Sequence, residues 1–315
     1  MFRIGVVGAG IIGASHKKAI LGNPDCILTA ACDLDVAKAE AMAEGTEARV
    51  YTDYKVMYEN ETLDAVVLNL PHFLHKDVSV WFLERGVAVL VEKPMANTVA
   101  ECDAMIAASK KSGAPLAVGH VQRYFRPYRH LRRLIEEGSL GKLCQINEIR
   151  NTDYFPNRPA WFLDKKKAGG GIIMNYGAHT LDKVFYTTGL EVTGVSAAGS
   201  NLLTDDSIEA SAQMLVRFEG GVSGVFSYCG THCPTYYQTD FYFTNGTARI
   251  DRWGSRLLVS EGAKPREEVE LEPNNVFGDQ LAEFVKLLRG EPSEVVTPEY
   301  GRRVIAILED AVSQF

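Results

Sequence analysis

Phe2-Arg3-Ile4-Gly5-Val6-Val7 runs without a break into Gly8-Ala9-Gly10-Ile11-Ile12-Gly13 and on into Ala14-Ser15-His16-Lys17-Lys18-Ala19-Ile20. An apolar run of strand length, a G-x-G-x-x-G turn and a helical stretch, in that order, predict a strand-turn-helix unit that cradles a dinucleotide. Gly8 permits the tight turn, Gly10 lets the backbone approach a pyrophosphate, and Gly13 lets the helix pack on the strand while its N-terminal amides face the anion. Ala9, Ile11 and Ile12 complete the loop as cofactor-binding positions. Asp33 ends the second apolar run, where a carboxylate accepts hydrogen bonds from the adenosine ribose hydroxyls and repels a 2′-phosphate. Leu34 and Asp35 follow it, with no arginine to hold that phosphate. The expected cofactor is therefore NAD, with NADP disfavoured.

Outward from this unit, apolar runs at Phe2–Val7, Ile27–Cys32, Ala65–Leu70, Val87–Val91 and Leu116–Val118 alternate with helical periodicity as far as Gly119. That alternation predicts an α/β N-terminal domain of the Rossmann type, a parallel sheet with helices on both faces. After Gly119 the pattern changes to β-rich runs in succession: Val192–Ala197, Ala210–Phe218, Val222–Tyr228, Tyr236–Phe243, Thr247–Ile250 and Arg256–Val259. Consecutive strands predict an α+β C-terminal domain with a large, mostly antiparallel open sheet, and helices over Phe277–Leu288 and Gly301–Val312 end the chain. The expected division is 1–120 and 121–315. A chain of 315 residues is long enough for two cores.

Composition narrows the partners. With 46% hydrophobic and 23% charged residues the chain is ordinary globular material. A net charge of -7 argues against a nucleic-acid surface or a polybasic membrane patch, and no apolar run is long enough to cross a bilayer. Six scattered cysteines suit a reducing compartment, and an opening that is already a strand shows no leader, so a cytoplasmic location is expected. Cys229-Gly230-Thr231-His232-Cys233 holds soft ligands, but no second cluster accompanies it, and no metal site is expected.

The order of Gly8–Gly13, Asp33, Pro71 to His75, Glu92-Lys93-Pro94, Gly119-His120-Val121-Gln122-Arg123-Tyr124 and Gly169-Gly170-Gly171 to Gly177-Ala178-His179 and Asp182 resembles the glucose–fructose oxidoreductase / inositol dehydrogenase / rhizopine-catabolism family along the whole chain. The resemblance implies a two-domain NAD(P)-dependent oxidoreductase acting on a sugar, inositol or related polyol. It also implies a cis peptide before Pro94. Lys93 matches the family lysine and His179 the family histidine, while Asn175 stands where the family carries aspartate. Leu70, Pro71, His75, Glu92, Lys93 and Gln122 should border the cofactor, and Arg123 and Tyr124 should face the substrate.

Hydride loss from a carbinol requires its hydroxyl proton to leave, and His179 can take that proton near neutral pH. Lys93 can hold the same oxygen and stabilise alkoxide charge, or act as the base itself. At spacings of i, i+4 and i+7, Asn175, His179 and Asp182 are expected to form a polar stripe on one helical face. The aromatic and cationic loop over 154–164 offers Arg158 and Trp161 as substrate contacts, or as structural packing or a subunit interface. Two other readings remain: a redox-neutral enzyme that oxidises a sugar transiently to permit elimination, and a non-catalytic NAD-binding sensor. An open sheet face seeks a partner, and the family resemblance implies a homodimer or homotetramer.

Overall fold

The computed structural model describes residues 1–154, 158–202 and 208–314. Phe155, Pro156 and Asn157 of the aromatic loop lie outside the described residues. The chain forms two compact units, Met1–His120 with Val276–Ile305, and Val121–Asn275 with Ala306–Phe315. The break at 120 falls where the sequence pattern changes. The segment 276–305, expected in the second unit, packs with the first.

In the first unit the elements are β1 (Phe2–Val7), α1 (Ile11–Leu21), β2 (Cys26–Cys32), α2 (Val36–Ala43), β3 (Arg49–Tyr51), α3 (Tyr54–Asn60), β4 (Ala65–Leu68), α4 (His72–Leu83), β5 (Ala88–Glu92), α5 (Val99–Ser112) and β6 (Leu116–Gly119). All six strands pair in parallel in the order β3-β2-β1-β4-β5-β6. The strand order reverses between β1 and β4, the point at which such sheets open a crevice at their carboxyl edge. Every residue of β4 and β5 is buried, as continuous apolar strands covered on both faces should be. One apolar cluster joins Ile4, Val6, Leu28, Val67 and Leu90 to Leu281, Phe284 and Val285. Those last three come from α9 (Val276–Leu288), which explains why this segment belongs to the first unit.

The second unit continues with α6 (Arg126–Glu136), β7 (Leu143–Asn151), α7 (Lys165–Ala168), a π-turn at Ile173–Gly177, α8 (Ala178–Thr188), β8 (Val192–Ser200), β9 (Ser211–Phe218), β10 (Ser223–Cys229), β11 (Tyr236–Phe243), β12 (Gly246–Asp251), β13 (Arg256–Glu261) and β14 (Glu267–Val269). Its eight strands run β14-β13-β12-β11-β7-β10-β9-β8, antiparallel except for the β7–β10 pair. α10 (Pro298–Val312) ends the described helices.

From Ala178 to Phe185 every residue of α8 is buried, two of them charged, so each charge needs a partner. Asp182 accepts from Arg123 Nε at 2.9 Å. Lys183 Nζ donates to Glu148 Oε2 at 3.0 Å and to Tyr237 OH at 2.5 Å. The other Glu148 oxygen accepts from Thr180 Oγ1, and Thr239 Oγ1 donates to Oε2 at 2.7 Å. Burial alone would raise Glu148, but Lys183 and these two hydroxyls hold it below the usual carboxylate range. Burial pulls Lys183 down to about 8.

Removing one partner of such a pair strands the other charge. Lys183→Met is expected to cost about 3–5 kcal/mol in denaturant unfolding, and Lys183→Met with Glu148→Gln to recover most of that loss. A double variant no more stable than Lys183→Met would refute this account of the network.

Candidate active site

The close packing of the glycine loop is visible atom by atom. Gly8 has φ +94°, and a Cβ there would lie 2.4 Å from the Asn69 carbonyl oxygen. A Cβ on Gly13 would lie 2.4 Å from the Gly8 carbonyl oxygen. These two glycines let β1, the loop after β4 and the start of α1 touch backbone to backbone. Gly10 differs: a Cβ there would meet nothing within 4 Å. It is the N-cap of α1, no side chain caps that end, and neither acid nor capping hydroxyl competes for the first amides. An open, uncapped helix N-terminus at the switch point fits a pyrophosphate. Ile11 is 88% exposed beside it.

Asp33 is held by this loop. Its Oδ2 accepts from Ala9 N at 2.8 Å and its Oδ1 from Asp35 N at 2.9 Å. Each oxygen keeps a lone pair for a further donor. Leu34, next to it, is 90% exposed.

At the ends of β4 and β5 a buried histidine ties two corners together. His75 Nδ1 lies 2.8 Å from the Pro94 carbonyl and Nε2 lies 2.8 Å from the Leu70 carbonyl. Burial pushes this imidazole below its ordinary range. Pro71 precedes α4 as its N-cap, and His72 is buried with its ring 5.8 Å from that of His75. The Lys93–Pro94 peptide is cis. Lys93 itself is partly exposed. Glu92 is buried, where its Oε1 meets His16 Nε2 at 2.9 Å and its Oε2 accepts from Lys93 N at 3.1 Å. The His16 ring stands edge-on to Phe277 at 5.0 Å. His16 was not singled out in the sequence, because its partner Glu92 is remote along the chain.

In the second unit, the turn Gly169-Gly170-Gly171 leads into the π-turn and α8. Glu209, buried and unforeseen, fixes this entry: Gly171 N and Ile173 N donate to its carboxylate at 2.8 and 2.9 Å. A Cβ on Gly171 would lie 2.2 Å from the Glu209 carbonyl oxygen, so the position requires glycine. The expected Asn175–His179–Asp182 stripe crosses a change of backbone: Asn175 lies in the π-turn over Ile173–Gly177, and His179 and Asp182 lie in α8. Asn175 Nδ2 donates to Tyr154 OH. His179 is buried in the first turn of α8.

Gln122, Arg123 and Tyr124 lie in a 3-10 turn at Val121–Tyr124. Arg123 is buried against Asp182, and Tyr124 is buried with the Arg129 guanidinium 5.2 Å from its ring. Arg158 Nε donates to the Tyr154 carbonyl at 2.9 Å and its guanidinium lies 4.2 Å from the Tyr154 ring. Trp161 stacks on Phe162 at 3.8 Å. Cys229 Sγ lies 3.1 Å from Thr231 Oγ1, and His232 pairs with Asp153 at 3.0 Å. Among the described residues no group of three or more His, Cys, Asp or Glu is arranged to hold a metal, and no helix is long and apolar enough to cross a membrane.

Two outcomes follow from this geometry. Gly10→Ala should leave the thermal midpoint of the free protein unchanged and weaken NAD at least about 10-fold in fluorescence titration, whereas Gly8→Ala should lower both; unimpaired NAD binding by Gly10→Ala would remove the pyrophosphate from this loop. His75, depressed in the fold, contributes stability above pH 6.5, its unfolded value, and loses it as pH falls through the folded value. His75→Gln is expected to cost about 1–3 kcal/mol at neutral pH and to flatten the loss of thermal midpoint between pH 6.5 and 5. Equal slopes for variant and wild type would contradict this.

Residues 2–120 match the description of an oxidoreductase family with an NAD-binding Rossmann fold, and residues 128–249 match the GFO/IDH/MocA C-terminal domain. Over 280 residues the chain is 29% identical to the 2,7-anhydro-N-acetylneuraminate hydratase of Mediterraneibacter gnavus, covering 84% of this chain and 74% of that protein. Over 229 residues it is 31% identical to the myo-inositol 2-dehydrogenase of Thermotoga maritima, covering 71% and 67%. A levoglucosan dehydrogenase structure solved with NADH superposes with a TM-score of 0.88 at 20% identity, covering 99% of this chain and 96% of that one, and shares the fold. With a glycine loop, a lysine after β5 and a histidine in α8 at the positions the motifs predicted, and with both domain descriptions matched, the chain belongs to the Gfo/Idh/MocA oxidoreductase family.

Proposed function

We propose that the protein is an NAD-dependent dehydrogenase acting on the CH–OH group of a sugar, inositol or related polyol. The observation that carries this reading is the coexistence of an open pyrophosphate cradle with Lys93 after β5 and His179 in α8, in a chain of this family. Asp33, fixed by Ala9 and Asp35 amides and followed by exposed Leu34 instead of an arginine, supports NAD over NADP.

When bound, the nicotinamide supplies the hydride acceptor. His179 takes the hydroxyl proton as the carbinol C–H bond breaks, and Lys93 holds the same oxygen as alkoxide charge develops. Asn175 orients a substrate hydroxyl or the His179 ring, and brings no full charge. Gln122, Arg158 and Trp161 are proposed as flanking contacts. Arg123 positions α8 through Asp182, with Tyr124 beside it. A homo-oligomer is also proposed, supported by Ile149, Leu215 and Val225, which expose apolar side chains on neighbouring strands of the second sheet.

A redox-neutral course, in which the electrons return to the product, is the second reading. The similarity to the anhydro-sialic acid hydratase favours keeping it.

Absorbance of NADH with purified protein, NAD and a panel of inositols, aldoses, uronates and amino sugars tests the proposal. Turnover with NAD exceeding that with NADP is expected, and Lys93→Ala and His179→Ala should each lower kcat by about 10²–10⁴. Substrate conversion without net NADH would move the assignment to the redox-neutral course, and full activity in either variant would remove that residue from the chemistry.

A further inference from the structure

Arg150 lies on β7 with Tyr228 of β10 directly opposite on one side and Tyr237 of β11 directly opposite on the other. It is 7% exposed. The Tyr176 ring lies 3.8 Å from the guanidinium carbon, the Trp253 ring 5.1 Å and the Tyr237 ring 6.0 Å. Aromatic faces stabilise a cation but accept none of its in-plane hydrogen bonds. The Nε and Nη1 donors of Arg150 are buried and have no hydrogen-bond partner among the described residues.

Local charge is out of balance at the same place. Glu148, two residues earlier on the same face, is committed to Lys183, Thr180 and Thr239. Among the described residues no carboxylate pairs with buried Arg150, an arrangement that is costly unless an anion completes it. Trp253 strengthens the case. It is 43% exposed, yet it stacks parallel on Tyr237 with ring centroids 5.7 Å apart. Arg252 and Trp253 hold this position at φ +47° and +58°, the left-handed region that non-glycine residues avoid.

We propose that Arg150, flanked by Tyr176 and Trp253, is a subsite for a carboxylate carried by the sugar or polyol, so that the substrate is a sugar acid. The inference rests on the oxidoreductase reading above. A planar guanidinium with free in-plane donors matches a planar carboxylate. One excess positive charge is balanced by a monoanion, whereas a phosphate monoester brings about -1.5 to -2 at neutral pH. The half-exposed indole offers a flat face to the C–H side of the ring that carries the carboxylate.

Titration calorimetry on the NAD-loaded full chain tests this with pairs that differ only in the acid: glucuronate against glucose, galacturonate against galactose, gluconate against glucitol. At least one acid is expected to bind 10-fold or more tightly than its neutral partner. Arg150→Gln should erase that difference and Arg150→Lys should keep part of it. Neutral partners binding as well as the acids in every pair overturns the subsite on wild-type protein alone, as does the failure of every acid to bind. If Arg150→Gln does not fold, Trp253→Ala should weaken the acid several-fold more than its neutral partner, and equal weakening again overturns the proposal. Formation of NADH is read separately: acid preference without NADH keeps the subsite and removes the dehydrogenase reading, while NADH from a neutral sugar without acid preference does the reverse.

Discussion

A carboxylate sealed from water keeps its charge only if cations and donors surround it, and Glu148 meets that condition through Lys183, Thr180 and Thr239. Two of those partners lie on α8 and the third on β11, so one ionised group pins the helix to the sheet. What the helix carries is thereby fixed as well. His179 lies next to Thr180, and Asp182 next to Lys183 reaches Arg123 at the start of the second unit. An apolar helix could slide by a turn at modest cost, because one leucine contact resembles another. A helix with two charges that each find one partner has a single register, which is the best-attested use of buried polar groups.

The first unit reaches precision by a different route. There the constraint is steric: Gly8 and Gly13 have no room for a methyl group because backbone already fills it, whereas Gly10 has room and nothing in the free fold that occupies it. The contrast separates glycines that the packing of the fold requires from one that it does not. Asp33 braces the loop through Ala9 and still has lone pairs to offer. His75 and the His16–Glu92 pair then hold the two corners that border Lys93 by hydrogen bonds to backbone. Their buried side chains make the cradle and the lysine parts of one rigid sheet edge.

Local features were legible and remote ones were not. β1 spans Phe2–Val7, the very run that the alternation predicted, and the turn and α1 follow within the same short stretch. The β-rich succession likewise predicted the second sheet, although the short β3 and β14 and the parallel β7–β10 pairing left no pattern to read. Glu209 is invisible in sequence because its role is to accept two amides from a turn remote along the chain. The π-turn is invisible for another reason: periodicity assumes a constant rotation per residue, and a backbone that inserts one residue violates the assumption without changing composition. The segment 276–305 shows the same limit at domain scale. Phe284 reads as the apolar face of an amphipathic helix, but which core receives that face depends on chain return.

Arg150 marks the boundary between what stability explains and what it does not. Lys183, Asp182 and Arg123 are buried charges as well, and each has its counter-ion. Folding alone would have been served by a leucine at position 150, which packs against tyrosines without a desolvation penalty. The chain instead holds a cation there, stacks it on Tyr176 and sets a half-exposed tryptophan beside it in strained backbone. Strain and an unpaired cation at one place, beside buried Lys183, Asp182 and Arg123 that each have a counter-ion, are what a binding site costs a fold before its ligand arrives.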